Sequence, residues 1–136
     1  TPDLPYLQQV YETLAPSGAA ELFIVQHEGR EVGASLELLT PKFALGWLAG
    51  TANDAPTGLS NWMQWQIILR FAEQGVERYD LGGVDLQAPA DSKGGRILTA
   101  KLKYGGELVR CAGGIADLMP WRAKAFDLLQ RLRGHH

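Results

Sequence analysis

The chain has 136 residues, 46% of them hydrophobic, 21% charged, with a formal net charge of -2. That is enough apolar material for one sizeable core and predicts a single domain over residues 1–134. The balanced, slightly acidic charge excludes a disordered tail and gives no basic field for non-specific nucleic-acid binding, so DNA is not an expected partner. The lone Cys111 has neither a disulfide partner nor companions at metal-ligand spacing, which points to a reducing, cytoplasmic setting and to no metal. No apolar run approaches the roughly 18 to 20 residues that span a bilayer, and no signal peptide is recognisable. The chain opens at Thr1 directly into an amphipathic segment, as a piece of something longer would, and His135 and His136 are set aside as a tag remnant.

Asp3 is placed to cap a helix carrying Leu4, Leu7, Tyr11 and Leu14, which Pro16 and Gly18 stop. Strand-like runs follow over Glu21–His27 and Glu31–Leu39, joined by Glu28-Gly29-Arg30 as an antiparallel hairpin. Phe43–Ala49 reads as a third strand, with Phe43, Leu45, Trp47 and Ala49 alternating. The small Ala44 and Gly46 on its other side leave room for a close neighbour. A loop, Gly50 to Leu59, leads to a helix capped by Thr57 or Ser60 and closed by Gly75, with Trp62, Trp65, Leu69 and Ala72 predicted as its inner stripe. Glu77–Leu81 is a short strand, so Phe43–Leu81 forms a strand-helix-strand unit with parallel strands. Gly95–Tyr104 is predicted as a helix, Gly106–Cys111 as a last strand, and a final helix opens at Pro120. The fold class is α/β, a mixed sheet flanked by helices.

Polar residues and glycines concentrate in two motifs, Tyr79-Asp80-Leu81-Gly82-Gly83 and Lys101-Leu102-Lys103-Tyr104-Gly105-Gly106-Glu107. They resemble the C-terminal domain of the FemAB family, in which a Tyr-Asp-Phe/Leu-Gly-Gly strand end is followed by Phe-Lys-x-x-Phe-Gly-Gly-Glu. Here Ala100 precedes the lysine and Tyr104 takes the second aromatic position. The resemblance covers roughly Leu22 to Asp117 and implies a GNAT-like mixed sheet, the C-terminal half of a two-domain protein. The implied activity is transfer of an amino acid from aminoacyl-tRNA to the stem peptide of a peptidoglycan precursor, UDP-linked or lipid-linked, forming the interpeptide bridge. It implies no metal and no organic cofactor. The implied partners are the tRNA, the precursor and the N-terminal domain of the same protein, and the precursor would bring the enzyme to the inner face of the membrane.

Lys101 matches the motif lysine. It is the candidate cation for the tetrahedral oxyanion formed when an amine attacks an ester, or for a phosphate of either substrate; otherwise it is a solvated helix residue. Asp85 is the candidate to orient the attacking amine or take its proton, against the plainer reading of a turn aspartate. Tyr79, Gly82, Gly83, Arg96, Lys103 and Tyr104 are candidate substrate-binding residues. The glycines equally suit two positive-φ turns, Arg96 a solvated loop and Lys103 a surface charge. Asp80 is expected to cap its own turn, and Glu107, His27 and Cys111 are read as structural or surface residues.

Two other functions compete. An acyl-CoA-dependent GNAT N-acyltransferase would carry an Arg/Gln-x-x-Gly-x-Gly/Ala loop for pyrophosphate. Here that position reads Gly50-Thr51-Ala52-Asn53-Asp54-Ala55-Pro56-Thr57-Gly58, without a basic residue. A non-catalytic domain that only binds the precursor is the third reading.

Overall fold

The computed structural model describes residues 2–110. The chain divides into two compact units, Thr1–Gly106 and Glu107–His136. All the elements below belong to the first. Of the second, residues 107–110 are described; they are exposed and form no strand. The expected last strand is therefore absent over residues 106–110, while Cys111, the helix from Pro120 and the terminal histidines lie outside the described residues.

Helix α1 spans Leu4–Leu14, with Asp3 as its N-cap: Asp3 Oδ1 accepts from Tyr6 N at 3.0 Å. A 3-10 turn, Ala15–Ser17, and Gly18 at φ 73° end it. Strands β1 (Ala20–His27) and β2 (Arg30–Leu39) pair antiparallel, His27 opposite Arg30. The connection is a residue shorter than expected. Glu28 (φ 51°) and Gly29 (φ 78°) both adopt the left-handed conformation that lets a two-residue turn follow the strand twist. Strand β3 spans Phe43–Thr51 and pairs antiparallel with β2. Between Leu36 and Glu37 its register slips, because Leu36 faces Leu48 whereas Glu37 faces Gly46, leaving Trp47 as the extra residue of a bulge.

Helix α2 runs from Leu59 to Glu73 and buries Met63, Ile67 and Phe71, spaced four apart. They pack on Ala44, with Phe23, Val25, Leu39, Val76 and Tyr79 around them. The predicted inner stripe is thus a correction: Trp62, Trp65 and Leu69 are 54%, 47% and 41% exposed, and Ala72 is exposed. Apolar residues encircle this helix, so two stripes satisfy the 3.6-residue period and spacing alone does not choose between them. The capping expectation also changes. The N-cap is Gly58 at φ 87°, with no side-chain cap from Thr57 or Ser60. Gly75 does close the helix, at φ 77°. Its N–H donates to Ala72 O and that of Val76 to Phe71 O, the paired bonds of a Schellman ending.

Strand β4, Arg78–Asp80, pairs parallel with β3, completing a mixed sheet ordered β1-β2-β3-β4. It meets only Phe43, Ala44 and Leu45, so from Gly46 onward β3 has no strand partner on this edge among the described residues. Helix α3, Lys93–Leu102, starts two residues before the expected Gly95 because Ser92 Oγ accepts from Gly95 N at 3.1 Å. Among the described residues there are four strands and three α-helices, and no helix is long and apolar enough to cross a membrane.

Candidate active site

Where β4 ends, the chain turns sharply. Asp80 Oδ1 accepts from Gly82 N at 2.7 Å, an aspartate turn, and Gly82 takes φ 79°. The carbonyls of Gly82 and Gly83 are left pointing at α3, where Lys101 Nζ donates to both at 3.1 Å. The two glycine motifs, some twenty residues apart in sequence, therefore meet through one ammonium. Burial lowers the Lys101 pKa from its ordinary value, and the Asp80 carboxylate partly offsets this. The turn packs against β3: a Cβ at Gly82 would lie in ordinary contact, 3.4 Å from Gly46 O and 3.6 Å from Lys101 Nζ.

Beneath this turn lies a polar chain inside the apolar layer. Glu37, on β2, is 0% exposed. Its Oε1 accepts from Ser35 Oγ at 2.5 Å and its Oε2 from Tyr79 OH at 2.9 Å. Gln64 Nε2, from α2, donates to the same Tyr79 oxygen at 2.7 Å. Burial raises the Glu37 pKa despite the two hydroxyl donors, and burial together with the Glu37 charge pushes the Tyr79 phenol well above its usual range. Phe71 stacks edge-on against the Tyr79 ring, centroids 5.3 Å apart. The room for this chain comes from Gly46, where a Cβ would sit 3.1 Å from Tyr79 OH and 3.4 Å from Glu37 Oε2. That is the close neighbour which the small residues of β3 foretold.

The remaining sequence candidates divide. Tyr104 OH donates to Asn61 Oδ1 at 3.0 Å, one helical turn before Gln64 on α2, and burial raises its pKa. Tyr79, Gly82, Gly83, Lys101 and Tyr104 thus gather at the ends of β4 and α3. Asp85 is exposed and accepts from Gln87 N at 2.9 Å within its own turn. Arg96 Nη1 donates to Asp91 O at 2.5 Å, tying the loop to the first turn of α3, and Lys103 is exposed at that helix's C-cap. Sequence reasoning passed over Glu37, Ser35, Gln64 and Asn61. Ser35 and Glu37 share one face of Ala34–Leu39 and alternate with apolar residues, which in sequence reads as an ordinary solvent-facing strand edge.

In the loop before α2, Asp54 forms an exposed ion pair with Arg30 from the hairpin, Nη2 to Oδ2 at 2.8 Å. A basic group therefore does reach this loop, but it is engaged by the loop's own acid.

The domain is thus a mixed α/β sheet whose parallel pair parts at a glycine-rich turn beside a lysine. The chain belongs to the acetyltransferase (GNAT) domain family, whose model matches residues 2–88. That match takes in the first glycine motif and ends before the second. The fold recurs in solved structures of low identity. Ribosomal-protein-alanine N-acetyltransferase from Brucella melitensis biovar Abortus 2308 superposes at TM-score 0.57 and 15% identity, over 81% of this chain and 79% of that one. A transcriptional regulator from Bacillus halodurans C-125 gives 0.63 and 17%, over 85% and 77%. An aminoglycoside acetyltransferase from an uncultured soil metagenomic sample, in complex with sisomicin, gives 0.55 and 14%, over 85% and 76%. No curated protein sequence matches the chain.

Proposed function

We propose that this GNAT domain transfers an aminoacyl group from aminoacyl-tRNA to the side-chain amine in the stem peptide of a peptidoglycan precursor. The observation that carries the reading is the junction of the two FemAB-like motifs at Lys101, whose ammonium spans Gly82 O and Gly83 O. The amine nitrogen attacks the ester carbonyl, forming the C–N bond and placing the electron pair on the carbonyl oxygen. Collapse breaks the C–O bond to the terminal ribose of the tRNA, and the departing oxygen takes the proton that the nitrogen loses. An ammonium has three N–H donors. With two held by carbonyls, the third is preset for the oxyanion, where fixed charge lowers the barrier most. The precursor, UDP-linked or lipid-linked, and a second domain of the same protein complete this reading.

The choice of donor rests on the loop before α2. It carries Asp54, whose carboxylate opposes a pyrophosphate, and the neighbouring Arg30 would have to leave its exposed pair with Asp54 to bind one. The second reading, acyl-CoA-dependent N-acylation, is favoured by the family itself and by the β3 edge beyond Leu45, which has no strand partner among the described residues and can receive an extended chain through backbone hydrogen bonds.

The test offers the full-length protein a panel of labelled aminoacyl-tRNAs and, separately, labelled acetyl-CoA, with UDP-linked and lipid-linked precursors as acceptors. Label passing from tRNA to precursor is the expected result. Acetylation from acetyl-CoA without transfer from tRNA would replace this reading by the second, and transfer from neither would make the domain a binding module.

A further inference from the structure

Glu37 is an expensive residue to keep where it is. It is 0% exposed and, among the described residues, forms no ion pair. A buried carboxylate without a cation costs more than the apolar residue that would fill the same space, so stability alone does not account for it. What it does is fix two hydroxyls, Ser35 Oγ on its own strand and Tyr79 OH on β4. Tyr79 OH gives its hydrogen to Glu37 Oε2 and receives one from Gln64 Nε2, which sets both the position and the direction of the phenol.

Tyr79 sits at the middle of a three-residue strand that, among the described residues, pairs with β3 alone, and so short an element gains little from its own ladder. Three residues further on is Gly82, whose carbonyl, with that of Gly83, holds Lys101. Asp80 Oδ1 closes the turn itself on Gly82 N, and the Tyr79 clamp is the side-chain anchor of the strand residue immediately before Asp80. Gly46 keeps the space open for that clamp.

We infer that Glu37 is a positioning residue for acyl transfer: through Tyr79 it holds the Gly82-Gly83 turn in register, and through that turn it aims Lys101. The inference rests on Lys101 serving acyl transfer as proposed above.

The test is a double-mutant cycle in the full-length protein, with whichever donor supports turnover. Tyr79→Phe is expected to lower kcat about ten- to a hundredfold with little change in KM, the usual penalty for a loosened reacting geometry. On a Lys101→Met background the same change is expected to add less than about twofold, since residues acting through one another do not multiply. Glu37→Gln, which still offers an acceptor oxygen, is expected to keep most of the activity that Glu37→Ala loses. Losses that multiply across the cycle, or an unchanged kcat per folded Tyr79→Phe molecule, would overturn the inference.

A second arm needs no turnover. Native protein is labelled with an amine-reactive ester, and the rate at Lys101 is read by mass spectrometry against Lys103 in the same sample. Release of the turn is expected to raise that ratio several-fold in Tyr79→Phe and Glu37→Ala and to leave it near wild type in Glu37→Gln. An unchanged ratio in all three would overturn the inference even if transfer is confirmed. If no donor supports turnover the functional reading falls, and the labelling ratio alone still decides whether Glu37 and Tyr79 hold Lys101.

Discussion

Lys101 Nζ lies 3.1 Å from Gly82 O, and the same nitrogen lies 3.1 Å from Gly83 O, so one side chain closes the turn that ends β4. Under the proposed function its positive charge is the working feature. Lys101→Met is expected to retain the fold and lower kcat roughly a hundredfold or more, the scale of removing an oxyanion donor. Lys101→Arg keeps the charge but replaces a compact ammonium with a longer planar fork whose N–H groups point differently, and is expected to recover only part of the rate. The pH profile adds a sign. Burial lowers the Lys101 pKa from 10.5, so the charged form, and with it the rate, is expected to be lost on an alkaline limb below that value. A kcat–pH profile showing the same limb in Lys101→Met would remove Lys101 as its source.

The raised pKa of Glu37 makes a separate prediction about stability. Desolvation holds its folded-state pKa above the ordinary 4.5, against the lowering effect of Ser35 and Tyr79. Between the two values the folded chain binds more protons than the unfolded one, so stability falls as pH rises through that window. The contribution is fully present below 4.5 and lost once pH exceeds the folded-state value. Glu37→Gln removes the titration. Urea unfolding of both proteins at several pH values is expected to show wild type gaining stability relative to the variant as the solution is acidified; parallel curves would mean that Glu37 does not titrate in this way.

Much of the fold was legible because local chemistry and periodicity agreed. Asp3 caps α1, Glu28-Gly29 turns the hairpin, and Gly75 ends α2 where it was expected to. The candidate site was legible as two glycine motifs, but not as one place, because their junction depends on where α3 lands relative to the end of β4. The polar chain was missed for a different reason. A glutamate on a strand reads as solvent-facing until the bulge opposite it, at Trp47, and the bare backbone of Gly46 are seen to make a cavity for its carboxylate. The face of α2 was assigned to the wrong stripe, since the large rings of Trp62 and Trp65 read as core beside Met63 and Ile67.

The choice of stripe converts into a measurement. Ile67 is 1% exposed and sits in the cluster with Ala44, Met63 and Phe71, whereas Trp65 is 47% exposed. Ile67→Ala is expected to cost roughly 2–5 kcal/mol by urea unfolding, the range for emptying a core site. Trp65→Ala removes more atoms, yet from a half-exposed position, and is expected to cost about 1 kcal/mol or less. The reverse order would mean that α2 presents its tryptophan stripe to the sheet.

Gly95 tests how α3, and Lys101 with it, is seated. A Cβ there would lie 2.2 Å from Pro89 O, 2.8 Å from Ala90 Cα and 2.9 Å from Ala90 O. All three are backbone atoms, so no side-chain rotation relieves the clash, and either the Pro89-Ala90 segment or the start of α3 must move. Alanine in a helix is worth about 1 kcal/mol over glycine, while overpacking costs about 1–3 kcal/mol, so Gly95→Ala is expected to be destabilising on balance. Gly106 is the matched control: a Cβ there meets no atom of the described residues within 4 Å. Gly106→Ala restricts the unfolded chain without straining the folded one, and is expected to be neutral or to add a few tenths of a kcal/mol. Urea midpoints in the order Gly106→Ala, wild type, Gly95→Ala would establish the contact. In the Gly95→Ala protein the labelling ratio of Lys101 to Lys103 is also expected to rise, because the helix that delivers the ammonium to Gly82 and Gly83 begins at the displaced turn. A Gly95→Ala variant as stable as wild type would mean that α3 is not held against Pro89-Ala90 at all.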